Sequence, residues 1–235
     1  MAVILNWSGD AIIRDTVMWD KRAVLGNPGL YIPTDIRAWL SSTNSEVILK
    51  TLRDLGIPSV REAGTFDRRA WMIWNYVAGS IQYVTDKSSF GLDDFWLFPE
   101  ETLVLHKGDC EDTSFLLATL LLASGISEHC VRVVLGSIST PDGSFGHAWV
   151  VYQDELGRWC LLESTLDSIP EQLTPADTFI ASASQYCYQP QFCFNGAHVW
   201  SMGEAKSQID DYLKTRGRMR AKEKASRKIF SYGPF

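Results

Sequence analysis

The chain has 235 residues, 46% of them hydrophobic, with 22 basic and 28 acidic side chains and a formal charge of −6. That is room for one domain, or one domain with an extension. No run approaches ~18 to 20 uninterrupted apolar residues, which argues against a membrane span. Five cysteines (Cys110, Cys130, Cys160, Cys187 and Cys193) form no CxxC pair, so neither a disulfide scaffold nor a thiolate zinc site is expected.

Asp10, Arg14, Asp15 and Asp20 interrupt the N-terminal stretch, so no signal peptide and a cytoplasmic location are expected. Residues 1–64 read as a partly helical extension. Within it, Ser41 to Leu55 carries an apolar stripe of Val47, Ile48, Leu52 and Leu55, stopped by Gly56. Asp67 to Val84 reads as a second helix, capped by Asp67, with Trp71, Trp74, Val77, Ala78 and Ile81 on one face. Ser88 to Thr102 reads as loop, with Gly91 and Pro99 as breakers.

Cys110 to Ser124 is the clearest helix. Asp109 is placed to cap it, Asp112 three residues on completes a box-like pattern, and Gly125 stops it. Its apolar residues go almost all round, which predicts burial on most sides. The period then changes. Val131–Ile138, His147–Gln153 and Arg158–Glu163 read as short strands, with Tyr186–Phe194 a further candidate and helix resuming at Glu204. Helices followed by an antiparallel sheet predict an α+β fold. Residues 65–200 form the expected core, and 201–235 a basic C-terminal helix or tail.

His147 follows Cys110 by 37 residues. A thiol at a helix N-terminus meets free backbone N–H groups and the positive end of the helix dipole, both of which favour a thiolate. An imidazole on a nearby strand supplies the base that a cysteine nucleophile needs. Asp109, Glu111 and Asp112 oppose this, because nearby negative charge raises a thiol pKa. If Tyr152 faces Arg158 in a hairpin, Trp149 pairs with Leu161 and His147 with Glu163, on one face at Cβ separations of ~5 Å. Glu163 is then the residue that orients the imidazole, with Asp167 as its rival.

Gly108-Asp109-Cys110-Glu111-Asp112 with its Leu/Ala-rich helix, Gly146-His147-Ala148-Trp149-Val150, and Trp159-Cys160-Leu161-Leu162-Glu163-Ser164-Thr165 resemble three segments of the transglutaminase-like cysteine peptidase superfamily. Ile81-Gln82-Tyr83 and Trp96 to Thr102 resemble segments of its bacterial members. The resemblance covers roughly Asp67 to Leu166. It implies a papain-like fold and a Cys110–His147–Glu163 triad that cleaves amide bonds through a thioester. Glu163 departs from the usual Asp. By the same resemblance, Trp96 is the candidate oxyanion residue, against a role in core packing. No cofactor is required, but calcium near the nucleophile is a feature of bacterial relatives, with Glu111 and Asp112 as its oxygen ligands here.

A peptide or protein is the expected substrate. Hydrolysis is favoured over amine transfer to a glutamine side chain, and over a binding module that has lost its chemistry. Eight of the 22 basic residues and one of the 28 acidic ones lie between Lys214 and Lys228, which leaves the rest of the chain at −13. That tail is expected either to lie against the acidic body or to contact nucleic acid or another polyanion.

Overall fold

The helix expected from Cys110 stands at the centre of the molecule. A computed structural model describes residues 11–13, 18–27, 29–57, 66–166, 169–173 and 187–201. Helix α1 spans Glu46–Asp54, α2 Phe66–Ser80, α3 Asp86–Phe90, α4 Pro99–Leu105 and α5 Cys110–Ala123. Strands β1 (Ala11–Ile13), β6 (Val131–Thr140), β7 (Gly143–Gln153), β8 (Trp159–Leu162), β9 (Cys187–Phe194) and β10 (Val199–Ser201) form an antiparallel sheet in the order β1-β10-β9-β6-β7-β8. Two small pairs complete the set: antiparallel β2 (Met18–Ala23) with β3 (Tyr31–Asp35), and parallel β4 (Gln82–Tyr83) with β5 (Lys107–Gly108). This is the expected α+β architecture, helices packed on an antiparallel sheet.

The apolar surround of α5 is used on all sides. Phe115, Leu116, Leu117, Ala118, Leu120 and Leu121 are fully buried, in one cluster with Ala70, Ile73, Trp74 and Val77 of α2 and with Val133, Ala148, Val150 and Leu162 of the sheet. Each such large side chain contributes about 1.5–3 kcal/mol by leaving water. Ile36, Trp39, Ile48 and Leu52 belong to the same cluster. The expected N-terminal extension therefore shares its core with the rest. The opposite face of the sheet buries Val134, Trp149, Val151, Leu161, Tyr188 and Trp200.

Two expectations are corrected. The stretch read as loop, Ser88 to Thr102, overlaps α3 and contains the start of α4. Pro99 opens α4 rather than breaking it, since a helix's first residue needs no N–H donor. The second helix ends at Ser80, and Gln82–Tyr83 leaves it to pair with Lys107–Gly108. The helix expected from Glu204, the basic run Lys214–Lys228 and Asp167 lie outside the described residues. Among the described residues no helix is long and apolar enough to cross a membrane.

Candidate active site

Three elements position the site. Helix α5 begins at Cys110, and its cap is built from Asp112: the Asp109 backbone N–H donates to Asp112 Oδ2 at 3.3 Å. The other Asp112 oxygen accepts the Leu97 N–H at 2.8 Å. A side chain on Gly108 would meet the Asp112 Cβ at 2.6 Å, so only glycine admits this cap. Asp109 stands at the N-cap and forms with Asp112 the reciprocal box expected from the sequence.

Strand β7 carries His147, and its neighbour Ala148 directs its backbone N–H to the Cys110 sulfur. The sulfur thus sits beside the residue next to the imidazole. The thiol itself lies 3.2 Å from Glu111 Oε2.

The end of β8 carries Glu163. Its hairpin register differs from the expected one: Gln153 pairs with Trp159 and Val150 with Leu162. Continued by one residue, Glu163 faces Trp149, and His147 lies on the diagonal of the same face. The diagonal is longer than the direct pairing, yet His147 Nε2 lies 2.7 Å from Glu163 Oε2. The extra methylene of Glu over Asp supplies that reach.

Glu163 is 1% exposed and fully bonded. Tyr188 Oη donates to Oε2 at 3.0 Å, and Thr165 donates to Oε1 from its N–H at 2.9 Å and from its hydroxyl at 2.7 Å. Burial pushes this carboxyl up, but the His147 bond and charge and the Thr165 bonds outweigh it, and the net direction is down. Glu163 is therefore a buried carboxylate, and His147 Nε2 carries the proton it accepts. Nδ1 remains as the basic nitrogen. The backbone is fixed from behind: Trp74 Nε1 donates to the Glu163 carbonyl at 2.8 Å, and Ser164 Oγ to Thr113 Oγ1 at 2.9 Å.

The Cys110 thiol is held well above its ordinary value, first by burial and then by the Glu111 and Asp109 charges; only the Ala148 N–H pulls the other way. The same acids strain one another. Burial and the Asp109 charge push Asp86 up to about 7, and burial and Glu111 push Asp109 up to about 8. Asp112 is also raised, by burial and then by Asp109. Ligand oxygens of Asp86, Asp109 and Asp112, and of Asp86, Asp94 and Glu111, lie within 4.8 Å of one another. Asp109 Oδ1 and Asp94 Oδ1 are buried without a hydrogen-bond partner. Orphaned carboxylate oxygens in such a set suit a hard divalent cation such as calcium. Glu111 and Asp112 were legible as candidates. Asp86 and Asp94 were not, because nothing in their local sequence indicates that they meet Asp109.

Trp96, the expected oxyanion residue, lies in the aromatic core. It is 4% exposed, its ring packed against Trp19, Trp39 and Phe115 at 5.0–5.5 Å between centroids, which is the core-packing alternative. Tyr83 was missed as a site residue. The residue is 52% exposed, and its hydroxyl is raised by partial burial and then by the charges of Cys110, Asp109, Glu111 and Glu163. Its pairing with Gly108 brings it near these charges.

Residues 53–164 match the family model of the transglutaminase-like superfamily. No curated protein matches the sequence. Among solved structures, EGTA-treated Legionella pneumophila LapG is 18% identical, with 74% of this chain and 92% of that one covered at a TM-score of 0.49. Calcium-bound LapG from the same organism is 18% identical, covering 67% and 78% at 0.46. A third LapG structure is 19% identical, covering 78% and 96% at 0.48.

Proposed function

We propose, from the match of residues 53–164 to the family model of the transglutaminase-like superfamily, that the chain is a cysteine-dependent amide hydrolase, a peptidase working through a thioester. The observation that carries this reading is the Ala148–Cys110 contact. It brings the sulfur to the residue next to His147, whose Nε2 is held by a buried carboxylate.

In this reading His147 Nδ1 takes the thiol proton and the sulfur attacks the substrate carbonyl. The oxyanion develops beside the Cys110 backbone N–H, one of the orphan donors of a helix start. Tyr83, whose strand pairs with Gly108, is the side chain assigned to assist. The C–N bond breaks as His147 returns the proton to the leaving amine. Water, deprotonated by the same nitrogen, then cleaves the thioester. Glu163 keeps Nε2–H fixed and stabilises the imidazolium in both steps.

Calcium fits the acidic set, with Asp86, Asp94, Asp109, Glu111 and Asp112 as its holders. Bound there, it would neutralise the charges that hold the thiol up. The acids otherwise favour the unreactive thiol.

Unfolded casein tests the reading. The wild type produces new amino termini and Cys110→Ala produces none; equal cleavage by both overturns it. A primary amine added to the assay is left unincorporated if water resolves the thioester. Its incorporation at glutamine would reassign the activity to amine transfer.

A further inference from the structure

Strand β9 changes face partway along its length. Phe192 and Phe194 point into the helix-side core, and Cys193 between them lies on the opposite face of the sheet. Plain alternation would send every even-numbered residue of the strand to the helix side. Tyr188 is even-numbered, yet it is buried on the opposite face with Trp149. The cause is a bulge. β9 pairs with β6 through Phe192 with Leu135 and then Pro190 with Gly136, so two steps along β9 match one along β6. The side chains beyond that point exchange faces. Glycine at 136 admits the bulge: a side chain there would meet the Gln189 carbonyl oxygen at 2.2 Å and the Pro190 Cα at 3.0 Å. Across its other edge Gly136 pairs with His147.

We propose that Tyr188 is a positioning residue of the His147–Glu163 pair, and that the bulge at Gly136 is the device that aims it. The Tyr188 hydroxyl donates to Glu163 Oε2 at 3.0 Å, the same oxygen that lies 2.7 Å from His147 Nε2. Both Thr165 bonds go to Oε1, and Thr165 belongs to the same short segment as Glu163. Tyr188 instead reaches the carboxylate from β9, with β6 and β7 lying between that strand and β8. Two donors from different strands fix Oε2 in place while His147 takes up and returns a proton. The competing role is ring packing, since the Tyr188 centroid lies 5.1 Å from that of Trp149 and 6.0 Å from that of His147. Without the bulge, position 188 would face the helix side, and Gln189 would stand on the face of Glu163. This deepens the hydrolase reading and rests on it only for the effect on turnover.

In the full-length protein, Tyr188→Phe keeps the ring and removes the donor. The first readout is the titration of the Glu163 side-chain carboxyl, followed by NMR with isotope-labelled glutamate and assigned through Glu163→Gln. A donor to the charged form holds a carboxyl down, so its loss moves this titration to higher pH than in wild type. A ring-packing role leaves it in place. The second readout is casein turnover, where Tyr188→Phe lowers kcat by roughly tenfold and leaves KM unchanged. Gly136→Ala disturbs the aim rather than the donor. It lowers kcat as well, and adding Tyr188→Phe to it costs little more, because the hydroxyl is already misplaced. An unmoved Glu163 titration in Tyr188→Phe overturns the proposal, whether or not Gly136→Ala folds. Losses that multiply in the double variant overturn the bulge as the aiming device. A moved titration with casein left uncut by wild type removes the hydrolase reading and supports the positioning role.

Discussion

Glu163 reaches His147 along a diagonal of the sheet, at 2.7 Å, from a position facing Trp149. Asp at this position would fall short by one methylene. Glu163→Asp therefore lowers casein cleavage despite keeping the charge, and Glu163→Gln lowers kcat by roughly three orders of magnitude through loss of the oriented imidazole. Steady-state kinetics of the two variants check this. An Asp variant as fast as wild type would show that the diagonal does not matter.

The same carboxylate makes stability depend on pH. Its folded pKa lies below the ordinary value of 4.5. It therefore contributes stability that is present above that value and is lost as pH falls through the folded pKa. Thermal melts from pH 7 down to pH 3 show a steeper loss below about 4.5 for wild type than for Glu163→Gln.

The acidic cluster has the opposite sign. Asp86 is raised to about 7 and Asp109 to about 8, from 3.8. Without a cation these groups stabilise the fold below the unfolded value, and the contribution is lost progressively as pH rises from 3.8 to the folded values of about 7 and 8. Melts in EGTA fall from about pH 4 upward and level off near pH 8. Calcium flattens the profile and adds about 2.7 kcal/mol at a hundredfold excess over its Kd. Chelation also slows cleavage, because the thiol loses its neutralising neighbour. Asp109→Asn abolishes the calcium response.

Trp74 holds the Glu163 carbonyl from the core side at 2.8 Å. Trp74→Phe leaves that buried carbonyl without its donor and lowers stability by about 1–3 kcal/mol. Urea titration measures the loss. Activity falls less than in Glu163→Gln, because the carboxylate keeps its own bonds.

Much of this site was legible in the sequence because its logic is local. The period of α5, Asp112 three residues after Asp109, and the alternation of β7 each follow from neighbouring residues. Glu163 was placed on the correct face despite a shifted register, since moving the pairing sum by two preserves the face. What stayed hidden depends on contacts far apart along the chain. Asp86 and Asp94 join Asp109 only through the fold. Trp96 drew attention by its neighbours in sequence, but burial among aromatics decided its place. Pro99 misled because a proline that stops a helix and one that starts it look alike without the backbone.

The most direct measurement is the rate of iodoacetamide alkylation at Cys110, mapped by peptide mass spectrometry in calcium. In wild type, Cys110 reacts faster than the exposed Cys187, and His147→Ala slows Cys110 at neutral pH while leaving Cys187 unchanged. A Cys110 that reacts more slowly than Cys187, at a rate indifferent to His147, would contradict the account.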